Sequence, residues 1–459
     1  MDELRRKLFY EQKNGYDLID TEERLKVEDY CKGYMDYLNR SRMEREAVRN
    51  AIALAEENGF VEYRFGMELK PGAKIYVNNR GKALILAVIG RKSLAEGAVI
   101  AGAHVDSPRI DLKQVTMYEQ DEMCYFKTHY YGGIKKYQWV TIPLELHGAV
   151  ALKNGEVIDV ALGREPDEPK FIITDLLPHL SKDQMQKTLA EGFPAEGLNI
   201  LIGSVPYADD GKDRVKLAVM SLLNDRYGIS EEDFLSAELA AVPAYNVDEI
   251  GLDRSMIGGY GQDDRVCAYA ELKALFDIDI PERTCVCILA DKEEIGSEGV
   301  TGMQSAAFDC FMEDLCASQG VALRHCYANS FCLSADVSNA FDPLYPEVSE
   351  KRSAAKLNYG VSILKFTGAR GKGASSDASA ELVAKVRALF EKHGVVWQMA
   401  ELGKVDQGGG GTIAKYMANR NIDTIDAGTP VLSMHAPFEV TSKFDCDMTY
   451  KAVLTAYRG

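Results

Sequence analysis

A chain of 459 residues, 46% hydrophobic and 27% charged, has enough apolar material for two or three domains around buried cores. Its formal net charge of -17 is spread along the chain, which argues against a nucleic-acid-binding surface, because phosphate contacts need clustered Lys and Arg. The longest apolar run, 83–89, is far too short to span a bilayer, and the opening MDELRRKLFYEQ leads into no secretory signal.

Spaced apolar positions among charges predict helices over 22–37 and 42–58, with Gly59 as the stop of the second. Compact strands follow at 74–77, 83–89 and 98–103, the last apolar enough to be buried on both faces. From about Arg109 to Asp248 the texture changes. Apolar stretches such as 139–146 and 170–174 alternate with turns there, and acidic segments sit at 205–213 and 231–233. Beyond Gly258 a rhythm of buried strand then helix returns. Strands are expected at 284–290, 331–335, 361–366, 395–399 and 424–429, and helices at 264–276, 375–393 and 411–419. This pattern predicts an α/β fold, a mostly parallel sheet flanked by helices and split by a strand-rich insert. Residues 1–108 form the first part of the α/β domain, 109–248 the insert, and 249–459 the second part.

Metal-capable side chains gather at the ends of these strands. In AGAHVDSPR the strand 98–103 runs straight into His104 and Asp106. At i and i+2 of extended chain they project to one side, so the carboxylate is placed to hold the imidazole; a capped turn would look the same. In GYGQDDRVCAYAEL, Asp263 and Asp264 open a helix, where adjacent acids also serve as caps and macrodipole partners. In TCVCILADKEEIGSEG an apolar strand empties into Asp291, Glu293, Glu294 and Glu298. Repelling carboxylates after a buried strand need a cation or a raised pKa. If one binds metal while its neighbour accepts a proton from water, the pair suits hydrolysis at neutral pH.

FCLSADVSNAFDP repeats the strand-then-acid pattern with Asp336, and DAGTPVLSMHAPFEV places His435 after another strand. Of the seven histidines only His104 and His435 lie in such settings; His129, His147, His179, His325 and His393 suit cores or surfaces. Two His, two Asp and one Glu supply nitrogen and oxygen ligands for two divalent ions, without thiolates and with room for water and substrate. Strand ends are also where open α/β sheets gather their ligands.

The motifs HVDSPR, GQDDR, KEEIGSEG, SADVSNAFDP and SMHAPFE stand in the order found in the M18 metallopeptidases, the aspartyl aminopeptidase and aminopeptidase I group. The chain resembles that family over nearly its whole length, insert included. The resemblance implies a zinc aminopeptidase of the co-catalytic zinc peptidase fold, holding two Zn2+ per subunit (Co2+ or Mn2+ could occupy the same ligands) and removing single N-terminal residues from peptides. By that resemblance Asp263 bridges the metals, His104 and Asp336 complete one coordination sphere, and Glu294 and His435 complete the other. Glu293 is implied as general base, Asp106 as the group that orients the metal site, and Asp264 as the partner of Asp263 in a non-proline cis peptide.

Lys365 in ILKFTG resembles a family lysine near the substrate, and DQGGGGT, with Asp406, Gly409 and Gly410, resembles a segment lining the pocket. A flexible surface loop is the competing reading; a phosphate loop fits less well, because no GK[ST] follows the glycines. His179 in LLPHL resembles a histidine that reaches a neighbouring subunit's active site from the insert. The family forms tetrahedral dodecamers with the insert as a dimerisation domain, so a homo-oligomer with peptide substrates is expected. Ten cysteines without a CxxC pair read as free thiols of a cytoplasmic protein. The rival enzyme is a deacetylase or carboxypeptidase on the same scaffold, with Arg370 or Lys365 meeting a terminal carboxylate. A non-enzymatic assembly protein ranks below both, since every expected ligand and the base are present. The preferred N-terminal residue, acidic or leucine-like, stays open.

Overall fold

The computed structural model describes residues 2–459. Helix Thr21–Arg40 starts at Asp20, whose side chain accepts the Glu23 N–H at 2.9 Å, and helix Glu44–Glu57 buries Ala47, Ala51 and Ala55 at four-residue intervals. Helix Thr21–Arg40 packs against helices Glu44–Glu57, Gln262–Phe276 and Lys443–Arg458, and Glu44–Glu57 packs against a nine-stranded sheet at strand Ala83–Val88. The order of that sheet is Val61–Glu62, Lys74–Asn79, Ala83–Val88, Cys285–Ala290, Val99–His104, Phe331–Ser334, Asp423–Gly428, Val361–Leu364 and Trp397–Met399.

The four strands Cys285–Ala290, Val99–His104, Phe331–Ser334 and Asp423–Gly428 are parallel neighbours. They are buried almost throughout, which their near-continuous apolar sequences require of strands covered on both faces. Antiparallel strands Ala83–Val88 and Val361–Leu364 flank this group. Register brings the C-terminal ends level: His104 lies opposite Ala290, and Ser334 opposite both Gly102 and Asp426. The segments leaving those ends therefore meet in one place.

A second sheet of seven strands, all antiparallel, is built from Arg109–Gln120, Met123–Tyr131, Leu144–Ala151, Val157–Leu162, Ile172–Ile173, Ile200–Gly203 and Ala237–Pro243. It has its own core around Ile110, Phe126, Trp139, Leu144 and Phe234. Of the apolar stretch 139–146 only the part from Leu144 on is strand, because the 3-10 turn Lys136–Trp139 and Pro143 precede it. The apolar stretch 170–174 contributes just Ile172–Ile173. The strand-rich reading of this region omitted the 14-residue helix Arg214–Tyr227, in which only Val215 is fully buried, so no apolar stripe marks it.

Buried ion pairs tie this sheet to helix Glu44–Glu57 and the residues before it. Arg42 meets Glu145 at 3.1 Å, Glu46 meets His147 at 2.6 Å, and Glu44 meets Arg109 at 3.1 Å. A small third sheet joins Asp248–Ile250, Met256–Gly259, Glu439–Ser442, Pro430–Leu432 and Ser338–Asn339, and the chain closes with helix Lys443–Arg458. Among the described residues no helix is long and apolar enough to cross a membrane.

Candidate active site

The side chains singled out from sequence converge at the level ends of the parallel strands. His104 is the last residue of its strand, Glu293 and Glu294 follow strand Cys285–Ala290, Asp336 follows Phe331–Ser334, and His435 lies beyond strand Pro430–Leu432. Asp263 and Asp264 open helix Gln262–Phe276 in non-helical conformation, joined by the expected cis peptide. His104, Asp263, Glu293, Glu294, Asp336 and His435 all line one cavity of about 420 Å³.

Asp263 stands at the centre. One carboxylate oxygen lies 3.1 Å from His104 Nε2, the other 3.1 Å from His435 Nε2, and that same nitrogen is 3.5 Å from Glu294 Oε1. Ligand atoms of His104, Asp263 and Glu294 fall within 4.8 Å of one another, as do those of His104, Glu293 and Asp336. Asp263 Oδ1 and Glu294 Oε1 are buried yet accept no hydrogen bond among the described residues. Buried polar atoms are ordinarily paired, so lone pairs left converging on a shared space fit a cation there.

The electrostatics agree with that fit. Burial pushes the Glu293 carboxyl up to about 7, with the charges of Asp106 and Asp263 adding to the effect. Burial and the Asp263 charge drive Glu294 well above the usual carboxylate range, and burial with Asp264 does the same to Asp336. Burial would also raise Asp263, but contacts with His104 and His435 hold it below its ordinary value. Burial would lower the imidazoles, yet Asp106 and Asp263 hold His104 up, and Asp263 with Glu294 holds His435 at about 10. Acids this crowded call for positive charge among them.

Further hydrogen bonds hold the clustered side chains in place. Asp106, fully buried, accepts the backbone N–H of Glu293 at 3.1 Å and of Glu294 at 3.2 Å, and the Tyr131 hydroxyl at 2.8 Å. Its Oδ1 is 3.4 Å from His104 Nδ1, and the Asp106 carbonyl lies 3.0 Å from the same nitrogen. His435 Nδ1 is 2.8 Å from the Gly133 carbonyl, a residue of the segment following strand Met123–Tyr131. Glu439 accepts the N–H of His435 at 2.7 Å and of Asp263 at 3.1 Å. Tyr131 and Glu439 were missed from sequence. Glu439 closes the SMHAPFE motif four residues after His435, so that motif was its only signal; Tyr131, distant along the chain, had none.

The outer residues divide. Gly409 and Gly410 line the cavity, and Gly409 has φ +118°, with a Cβ there set to lie 2.0 Å from the Gly368 carbonyl oxygen. That position demands glycine. Asp406 is exposed and outside the cavity wall. Lys365 also lies outside it, its ammonium paired with Asp377, which Lys372 meets at 3.0 Å. His179 sits on the exposed turn Pro178–Leu180 of the second sheet's domain, away from this cavity.

Comparison with known proteins bears on the whole chain. Residues 37–457 match the family model described as aminopeptidase I zinc metalloprotease (M18). A relative in Clostridium acetobutylicum, named probable M18 family aminopeptidase 1, is 46% identical over 447 residues, covering 95% of this chain and 96% of its own. One of the same name in Thermotoga maritima is 44% identical, covering 93% of this chain and 95% of its own. The crystal structure of an M18 aminopeptidase from Thermotoga maritima superposes with a TM-score of 0.94 at 42% identity, over 98% of this chain and 99% of that one. Aminopeptidase I from Clostridium acetobutylicum superposes with a TM-score of 0.92 at 43% identity, over 98% and 100%. Matched by the family model from residue 37 to 457 and by relatives over more than nine-tenths of its length, this chain belongs to the M18 family of zinc metallo-aminopeptidases.

Proposed function

We propose that the cavity hydrolyses the first peptide bond of substrates bearing a free α-amine, with two divalent cations per subunit. The observation that carries this reading is the Asp263 carboxylate, whose two oxygens each face a different histidine nitrogen at 3.1 Å. Asp263 would bridge the pair, His104 and Asp336 would complete one sphere, and Glu294 and His435 the other. The nitrogen and oxygen donors suit zinc, and cobalt or manganese could replace it. Bound there, the ions supply Lewis acidity to the scissile carbonyl and lower the pKa of the attacking water.

Glu293 does the proton work. Its carboxylate accepts a proton from water and returns it to the nitrogen of the departing amine. Asp106 keeps Glu293 and Glu294 in place through their backbone N–H groups, and Gly409 and Gly410 let the backbone approach the substrate closely. Glu293 also lies within reach of the His104–Asp336 cluster, so the metal content of a variant decides its role. Glu293→Gln should keep its zinc while activity falls at least a hundred-fold (about 2.7 kcal/mol). Loss of zinc along with activity would make Glu293 a ligand and overturn the assignment. Cleavage of N-acetylated peptides as readily as free ones would favour a deacetylase or carboxypeptidase instead.

The insert, with boundaries 109–248, is proposed as the dimerisation domain of a homo-oligomer, a dodecamer by family resemblance. Leu176, Leu177, Leu180, Met185 and Leu189 stand exposed together along one stretch of it, an apolar surface that subunit contact would cover. His179 lies within that stretch and would reach the active site of a neighbouring subunit. A stable monomer in sedimentation would refute both statements. The ten cysteines, none bridged among the described residues and all but Cys310 buried, suit a reducing, cytoplasmic setting.

A further inference from the structure

The cavity wall carries one lysine, which the reaction does not use. Lys415, in the short helix Ala414–Asn419, is half-buried and lines the cavity. Among the described residues no carboxylate lies within 4.0 Å of its ammonium. The other lysines nearby are committed: Lys365 and Lys372 share Asp377, and Lys292 meets Asp291 at 3.2 Å.

Lys415 also stands on a firm mount. Thr412, just before the helix, donates to Asp426 on the central sheet at 2.9 Å. The hydroxyl of Tyr416 donates to the Gly296 carbonyl at 3.1 Å, and the Lys415 ammonium sits 5.6 Å from that ring's centroid. Much of the remaining wall away from the metal-ligand cluster is neutral, including Val337, Leu364, Leu402 and Met434. An unpaired ammonium on a neutral, partly desolvated wall attracts an anion more strongly than one in open water.

We propose that Lys415 is the specificity-determining residue that receives a substrate carboxylate. This rests on the aminopeptidase reading above. Two sources share that chemistry: the side chain of an N-terminal Asp or Glu, and the C-terminal carboxylate of a dipeptide. Lys415 and the clustered acids line one cavity of about 420 Å³, so either carboxylate would share it with the reacting amide.

Paired isosteres separate them on zinc-loaded enzyme. kcat/KM is measured for Glu-Ala-amide against Gln-Ala-amide, and for Leu-Ala against Leu-Ala-amide, with wild type, Lys415→Met, Lys415→Gln and Lys415→Arg. Wild type should favour the carboxylate member of one pair by about ten-fold or more, and the pair showing this names the source. The preference should collapse in the Met and Gln variants and persist in part in the Arg variant. Each ratio is internal to one preparation, so partial misfolding cancels. No carboxylate preference in wild type on either pair, or one that survives Lys415→Met and Lys415→Gln, overturns the role of Lys415 while leaving the aminopeptidase intact. Failure of wild type to cleave any of the four peptides would sink the aminopeptidase reading and this inference with it.

Discussion

Replacing Asp106 by Asn tests the architecture of the site without touching a proposed metal ligand. Both carboxylate oxygens face donors: Oδ1 accepts from the Glu293 N–H with His104 Nδ1 alongside, and Oδ2 accepts from the Glu294 N–H and the Tyr131 hydroxyl. An Asn amide must turn its NH2 toward one of those sides. The Tyr131 hydroxyl can rotate to accept, but a backbone N–H cannot, so at least one amide of the Glu293–Glu294 turn loses its acceptor in a buried site. A lost hydrogen bond to a charged acceptor costs about 1.5–3 kcal/mol. The same loss falls on the orientation of His104 and Glu294, which predicts zinc affinity weaker by about ten- to a hundred-fold and a comparable drop in kcat/KM. Zinc titration against a competing chelator, with steady-state kinetics at saturating metal, measures the two effects. Tyr131→Phe removes a single hydroxyl and leaves both amides served, so its effect should be the smaller. An Asp106→Asn protein that binds zinc and turns over within two-fold of wild type would refute the reasoning.

Two further outcomes follow from the same geometry. His147 is buried between Glu46 and Glu145, with Arg42 paired to Glu145 beside it. Burial would lower its pKa, but the two glutamates hold it up to about 9. A folded-state pKa above the unfolded value of about 6.5 stabilises fully below that pH, and the contribution, up to about 3 kcal/mol, is lost as pH rises through 9. The urea midpoint of wild type should therefore exceed that of His147→Gln most at pH 6, and the gap should narrow by pH 10; a constant gap would contradict this. Removing metal with a chelator should abolish peptide hydrolysis and lower the unfolding temperature, with both restored by zinc, because an ion bound only by the folded chain stabilises it in proportion to the logarithm of its concentration over Kd. An unfolding temperature indifferent to zinc would count against the cluster as a metal site.

Much of this molecule was legible along the chain. Strands such as 98–103 and 284–290 were visible because burial on both faces leaves an uninterrupted apolar run, and His104, Glu293, Glu294 and Asp336 were visible because acids and imidazoles directly after such runs break the pattern. Helix Lys443–Arg458 was not foreseen; it is buried around most of its circumference, with Asp445, Asp447 and Thr449 inside, so polarity along it does not report burial. The small sheet that brings Ser338–Asn339 together with Pro430–Leu432 was equally hidden, its strands being short and far apart in sequence.

Local sequence thus determined which residue types stand at strand ends, and with them the chemistry available, because side-chain chemistry and burial pattern are written residue by residue. Only the tertiary structure decided which of those groups meet. Strand register brought His104 level with the ends of its neighbours, and tertiary hydrogen bonds turned Asp106, Tyr131 and Glu439 into supports for the clustered side chains. Packing also withdrew Lys365 to Asp377 while leaving Lys415 on the cavity wall. Such contacts join residues beyond the reach of any local pattern, 25 positions apart for Asp106 and Tyr131 and 176 for Asp263 and Glu439, and no local run of hydrophobicity or charge encodes them.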